Sequence, residues 1–500
     1  MWSTLLDQLK RHRTTVVTGM VIVAILVGVL VIPRGDDSPQ GLVDVPEELQ
    51  DDAEVGEETI PAERERSRRA GGEQDASPTS TGPAVGVVSP VPETTASGGG
   101  RSLPIGRTRG VSGGKIKIGV ALPDLSAFAQ ISEDFDVGDT REQFEAILDG
   151  WRRRGIVPVH GRDVEFVYRE FDIFSTDEKI AACRELIEDE KVFTIIAGRF
   201  FGEGSECVAD RFDTPMLTLN SDMKSLYDRL GANFFTIRPT WERLFRNWMH
   251  WADTGGHLKD RTIGLFYEEE VEPAVVVGIK RELDKRGYEI EEEVAASGAG
   301  VGTSQDQSAV LRFQGAGVDL AIMVTGGTSM ASFMNFAESQ GYNPTYIATD
   351  YGEHTTDAAT SLYPSNQYDG TFGMTATRVG EVRAGKKLPP ETRVCVNNYE
   401  RFSGKEVGPS SPETAEYNNV LVGCDMANTM LSGILLAGRG LGHLSLIRGL
   451  EAIGDLPLAA HQKLSFAPNR HFGVDTQRTA HWSQNCRCWE AMGKFRPFWL

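Results

Sequence analysis

Very little in this chain has the spacing that covalent chemistry needs. There is no His-Glu-x-x-His, no Gly-x-Ser-x-Gly, no Walker loop, and no Gly-x-Gly-x-x-Gly on a strand–helix turn. The nine histidines are scattered, and no pair of carboxylates stands out. His471 and His481 lie near Cys486-Arg-Cys488, but their spacing matches no familiar zinc pattern. The residues therefore offer no catalytic group, no metal site and no cofactor. What remains is recognition chemistry. In Gly198-Arg-Phe-Phe-Gly202-Glu-Gly204-Ser205 the glycines let backbone N–H groups approach an anion. Arg199, inside that loop, can pair with a carboxylate. The same residues also suit a plain tight turn with a solvated arginine.

The elements that must position such groups follow a rhythm that begins at Lys115. Lys115–Pro123 (KIKIGVALP) alternates and then runs apolar, as a buried strand does. Asp139-Thr-Arg-Glu142 resembles a capping box opening a helix to about Arg154, and Ser175-Thr-Asp-Glu178 opens another. Further strands are expected at 164–171, 192–197 and 215–219, with a short helix over 204–212. A second block repeats the pattern. It predicts helices at 241–252, 273–286 and 329–340, and strands at 262–267, 288–295, 319–324 and 345–348. A long helix (413–437), another at 444–453 and short C-terminal strands close the chain. Strands alternating with helices imply parallel, doubly wound sheets, here as two α/β lobes.

Composition excludes several classes. With 500 residues, one compact core is too small a plan. A formal charge of -20 argues against nucleic acid as partner, because phosphates need Lys and Arg. Thr14 to Pro33 is an uncharged apolar run, long enough to span roughly 30 Å of hydrocarbon. Lys10, Arg11 and Arg13 precede it and Asp36 and Asp37 follow. The expectation is a cytoplasmic basic segment (1–13), a transmembrane signal anchor (14–33), and a single-pass protein of the cell membrane with its remainder extracytoplasmic. A cleaved signal peptide and a lipoprotein are the alternatives, against which Ile32-Pro33-Arg34-Gly35 offers no small-x-small pattern and no cysteine lies nearby. Residues 34–114 are rich in Pro, Gly, Ser, Thr and Glu. They are expected to form a disordered linker with a reach of roughly 50 Å.

Four passages carry a family resemblance across residues 115–500. They are the opening strand at Lys115–Pro123, the Ala181-Ala-Cys183-Arg-Glu-Leu-Ile and Val192-Phe-Thr-Ile-Ile-Ala-Gly198 pair, Phe234-Phe-Thr-Ile-Arg238-Pro239-Thr240, and Ser465-Phe466-Ala-Pro468 with His471-Phe-Gly473. In their order and spacing they resemble the type I periplasmic binding proteins, of the leucine/isoleucine/valine-binding branch. The resemblance implies two Rossmann-like lobes with an interlobe cleft. Lobe 1 would be about 115–239 plus 377–457, and lobe 2 about 240–376 plus 458–500. It also implies a non-enzymatic solute-binding protein that delivers a small-molecule ligand to an ABC-type permease. That ligand would be an amino acid, amide or amine. A tethered sensor or scaffold on the same fold is the alternative.

On that fold the ligand sits beyond the carboxyl ends of the strands. The loops there hold Ser126; Arg199 and Phe200; Asn220 and Ser221; Tyr267; Gly326; and Asp350 with Tyr351. Asp350 matches the position where amino-acid binders place an acid for the ligand ammonium. The acidic stretch Glu269-Glu270-Val271-Glu272-Pro273 departs from the family's ring-bearing residue and suits either a cationic ligand, such as a polyamine or amide, or a solvated face. The fold also places Cys183 and Cys207 on neighbouring helices, where they are expected to form a disulfide. Cys395, Cys424, Cys486 and Cys488 leave three pairings open.

Overall fold

The computed structural model describes residues 108–269, 273–296, 304–410 and 412–499. The expected membrane segment, and the linker as far as residue 107, lie outside the described residues.

The first sheet has five parallel strands, β1 (Lys115–Asp124), β2 (Asp163–Asp172), β3 (Thr194–Ala197), β4 (Met216–Thr218) and β5 (Phe234–Thr236), in the order β2-β1-β3-β4-β5. Ile116, Ile118, Val120 and Ala121 of β1 are all buried. Helices cover both faces of such a sheet, so alternation gives way to an apolar run. Helix α1 (Thr140–Arg153) starts at Asp139, whose side chain accepts the Glu142 N–H. Helix α2 (Thr176–Arg184) starts at Ser175, which accepts from Glu178 N at 3.3 Å. The Glu178 carboxylate does not turn back to Ser175, as a complete capping box would. It accepts the Asp172 N–H at 2.9 Å and ties the end of β2 to the helix.

The second sheet takes α3 (Trp241–Thr254), β6 (Ile263–Glu268), α4 (Pro273–Asp284), β7 (Ile290–Ala296), α5 (Ser304–Gly315), β8 (Leu320–Val324), α6 (Gly327–Ser339), β9 (Thr345–Thr349) and β10 (Phe372–Thr375). The chain then adds α7 (Pro390–Ser403), α8 (Ala415–Ala437), α9 (His443–Glu451), the two-residue strands β11 (Leu456–Pro457) and β12 (Lys463–Leu464), and a long hairpin, β13 (Thr476–Ser483) and β14 (Cys488–Pro497). The hairpin joins β10 antiparallel, giving the order β14-β13-β10-β9-β8-β6-β7. This sheet is therefore mixed, and its C-terminal strands are eight and ten residues long rather than short. Helix α8 is long and apolar enough to cross a bilayer, but it is the buried core helix of the first lobe, packed on α1, α7, α9 and β3. Trp151 of α1 donates its indole N–H to Asn428 of α8 at 2.9 Å.

The expected break between lobes at 457/458 moves. Thr236 N donates to His471 O at 2.9 Å, Gly473 N to Thr236 O at 2.9 Å, and Val474 N to Ile237 O at 2.8 Å. The segment before Thr476 thus pairs with β5 as a further edge of the first sheet. The last passage between lobes lies near residue 475. Three disulfides close the fold. Cys183–Cys207 ties α2 to the next helical segment, Cys395–Cys424 ties α7 to α8, and Cys486–Cys488 closes the tip of the β13–β14 hairpin. Each loop of 24 or 29 residues stabilises the fold by on the order of 3 kcal/mol.

Candidate ligand-binding cleft

Four loops at the carboxyl ends of the first sheet face the cleft side. After β1, the Asp124 carboxylate accepts the Ser126 N–H at 2.9 Å, and Ser126 opens a short helix to Ile131. This hydrogen bond holds the Asp124 carboxyl below its ordinary range. After β3, Phe200 sits at φ +66° and its N–H donates to Asn220 Oδ1 at 3.0 Å. The Asn220 side chain, from the loop after β4, therefore fixes the neighbouring loop. Ser221 beside it is buried, and Phe200 is exposed. After β5 comes Arg238, only 9 % exposed.

The second sheet presents the facing loops. Tyr267 donates its hydroxyl to Glu293 at 3.1 Å, which turns it along the sheet toward β7. Glu268 accepts the Gly326 N–H at 3.0 Å, placing a carboxylate at the positive end of α6. Asp350 is buried and accepts from two partners, the Thr355 hydroxyl and the Ala376 N–H (2.8 Å for the latter). Tyr351 packs its ring edge-on to Trp241, with centroids 5.0 Å apart, and against Phe245 at 5.3 Å. The turn that follows has Gly352 at φ +60° and Glu353 at φ +64°. A Cβ on Gly352 would stand 2.3 Å from the Thr325 carbonyl oxygen, so glycine alone fits this approach.

The two sets of loops meet at Glu353. Arg199 of the first lobe forms an ion pair with its Oε1, and Arg238 Nη2 lies 3.8 Å from the same atom. Partial burial pushes the Glu353 carboxyl up, but Arg199 and then Arg238 outweigh it and hold the group below the usual carboxylate range. Burial, then the Arg199 charge, lowers the Arg238 guanidinium. Behind Glu353, His354 lies between Thr325 O (2.9 Å from Nε2) and the Tyr363 hydroxyl (2.7 Å from Nδ1). A carbonyl can only accept, so Nε2 carries the proton and Nδ1 accepts from Tyr363. Burial depresses this histidine to about 4, which makes it a neutral brace. A second contact between lobes is made by the Glu133–Phe135 turn against the Asp357–Thr360 helix.

Of the residues expected at the cleft, Arg199, Phe200 and Asn220 stand together, and Arg199 reaches across to the loop that holds Asp350 and Tyr351. Tyr267 and Gly326 are engaged within the second lobe, and Asp350 already accepts at both oxygens. Arg238, Glu353 and His354 did not stand out in the sequence as site residues. An arginine directly after the apolar strand FFTI, and an acid two residues beyond Asp350-Tyr351, were the signals available. Residues 270–272 of the acidic stretch lie outside the described residues. Among the described residues no group of three or more His, Cys, Asp or Glu could hold a metal ion. A shallow hollow lined by Arg261, Tyr288 and Glu291 lies at the amino ends of β6 and β7, at the opposite edge of the sheet from the cleft.

Several solved structures are similar to this chain. A branched chain amino acid ABC transporter protein from Thermus thermophilus with bound valine matches with a TM-score of 0.60 at 13% identity, over 77% of this chain and 97% of that one. A solute binding protein from R. palustris in complex with 4-hydroxybenzoate gives 0.58 at 17%, over 77% and 97%. A leucine binding protein from Thermotoga maritima gives 0.58 at 15%, over 76% and 98%. At these identities the likeness is one of fold. No curated protein matches the chain. The sequence model of the periplasmic binding proteins matches residues 115–480, well over half of the 500, and the chain belongs to that family.

Proposed function

We propose that this protein is an extracytoplasmic solute-binding protein whose two lobes close around a small polar ligand for an ABC-type importer. The observation that carries the reading is the ion pair from Arg199 to Glu353, which joins the carboxyl edges of the two sheets where a ligand would lie. Closure of such lobes is a population shift, and only contacts that a ligand makes with both of them can drive it. Proteins of the same fold support the role, since their names include a leucine binding protein and ABC transporter proteins with bound valine or 4-hydroxybenzoate. The apolar run at 14–33 would hold the domain at the membrane surface on its long linker. Three disulfides are consistent with an oxidising compartment outside the cytoplasm.

A thermal-unfolding screen of the full chain in mild detergent, against amino acids, organic acids, amides and polyamines, tests this. A ligand that binds only the folded state at 100 times its Kd adds about 2.7 kcal/mol and raises the midpoint saturably. A well-folded protein with no shift for any class would instead point to a scaffold.

A further inference from the structure

We propose that the cleft takes a ligand with a free carboxylate and no ammonium group, and that Glu353 is a tethered stand-in for that carboxylate. This rests on the cleft being a solute site and names what the solute must carry. The leading observation is Arg238. Its residue is nine-tenths buried, its guanidinium makes no hydrogen bond, and its Nε is enclosed without an acceptor. Its Nη2 points at Glu353 Oε1 but stops at 3.8 Å, beyond hydrogen-bond reach. A buried guanidinium left this way is costly, and its Nη groups, which unlike Nε are not enclosed, are the ones an outside oxyanion would satisfy. Arg199 converges on the same oxygen from the adjacent loop, so two forked cations share one oxygen of a single carboxylate. Paired guanidinium groups suit the planar, two-oxygen geometry of a carboxylate.

Charge accounting gives the rest. Arg199 and Arg238 face Glu353 and Asp350, two cations against two anions. A ligand carboxylate that displaces Glu353 keeps this balance. Asp350, the acid that would face a ligand ammonium, is instead buried and engaged within its own lobe, with one hydrogen bond accepted at each oxygen. Glu353 is also easily released. Its side chain is 34% exposed, so the carboxylate has a path to water. The exposed Phe200 ring beside Arg199 offers an apolar body a surface to lie on. The site is thus occupied from within until an external carboxylate outcompetes its own side chain, and apparent affinity is reduced by the fraction of time Glu353 sits there.

The test is calorimetric titration of the full chain in detergent with 4-hydroxybenzoate and hexanoate as carboxylates, 4-hydroxybenzamide as the neutral match, and leucine as the zwitterion. At least one carboxylate should bind, with the amide and leucine each weaker by about 10-fold or more. Arg238→Gln should weaken carboxylate binding by about 10-fold or more. Glu353→Gln should strengthen it by about 10-fold. Glu353→Gly, which suits the left-handed backbone, should do the same and guards against a misfolded first variant. If leucine or the amide binds as tightly as the acids, the ligand class is wrong while the solute-binding reading stands. If both Glu353 variants are folded and bind carboxylate no better than the parent, the stand-in is wrong. If no solute of any class binds parent or variants, both readings fall.

Discussion

Two clusters of charge sit in this fold, and they are built to different rules. One is the cleft trio of Arg199, Arg238 and Glu353. The other lies where the chain returns from β10 to the first lobe, and joins Asp357, Glu381 and Glu413 to Arg378, Arg383 and Arg478. In the second cluster nearly every group is matched. Asp357 accepts from Arg383, Glu413 N and Trp489 N, each at 2.7 Å. Glu413 accepts from Gly380 N at 2.9 Å. Glu381 accepts from Arg478 at 2.7 Å and from Arg378 at 3.2 Å, and the Phe495 ring covers the Arg478 guanidinium at 4.4 Å. Only the Nε of Arg478 lacks an acceptor. The cleft trio instead leaves the whole Arg238 guanidinium without a hydrogen bond. A buried ionic network that serves architecture fills its valences from the chain, and one that serves binding leaves them for something else.

The comparison breaks most visibly at Asp357. Asp357→Ala would leave two backbone N–H groups without an acceptor in a dry interior and take from Arg383 its nearest carboxylate, and about 3–5 kcal/mol of stability should be lost in denaturant titration. A loss under 1 kcal/mol would mean the network is not the brace described. The next effect is one of pH. Burial, then the Asp357 charge, pushes the Glu413 carboxyl up to about 7 against the pull of Arg383. A carboxyl raised in the folded state contributes stability that is full below the ordinary carboxyl range and is lost as pH climbs through its folded value. Stability should therefore fall between pH 5 and pH 8 by on the order of 1–3 kcal/mol through this pair, and Glu413→Gln should flatten the slope. Glu353 has the opposite sign. Its carboxyl is lowered, so its contribution is present above the ordinary carboxyl range and lost as pH falls through the folded value.

Smaller effects sharpen the contrast. Asn220→Ala removes the acceptor of Phe200 N–H and should cost about 1 kcal/mol, with weaker ligand binding from the loosened Arg199 loop. Unchanged ligand affinity would detach that loop from the site. Glu353→Gln should change thermal stability by less than about 1 kcal/mol, because the pair is partly solvated. A much larger loss would make it a brace like the other cluster.

What could be read from residues alone follows the range of the interaction. β1, β2 and their helices were legible because apolar periodicity and N-caps act within a few positions of the chain. The three-residue β5 and four-residue β10 are too short to show a period. α7 begins at Pro390 after a charged stretch that reads as a connector. The lobe break near 475 depends on Thr236 pairing with residues 471 and 473, which no local pattern signals. The same holds in the cleft. Arg199 was visible within its glycine-rich loop, but its partner lies at 353. The engagement of Asp350 by Ala376, 26 residues on, was equally hidden.

The late pairing at β5 also has a consequence in time. The N–H and carbonyl of Thr236 wait for residues 471 and 473, and 471 − 236 = 235 residues must still be made when Thr236 is added. At roughly 5–20 residues per second that delay is roughly 10–50 seconds. Throughout it β5 stands as an open strand edge at the border of a half-built lobe, the kind of surface that recruits a wrong neighbour. Biogenesis of this protein therefore carries a window of vulnerability, set by connectivity, that a chaperone or an emerging sister chain could enter.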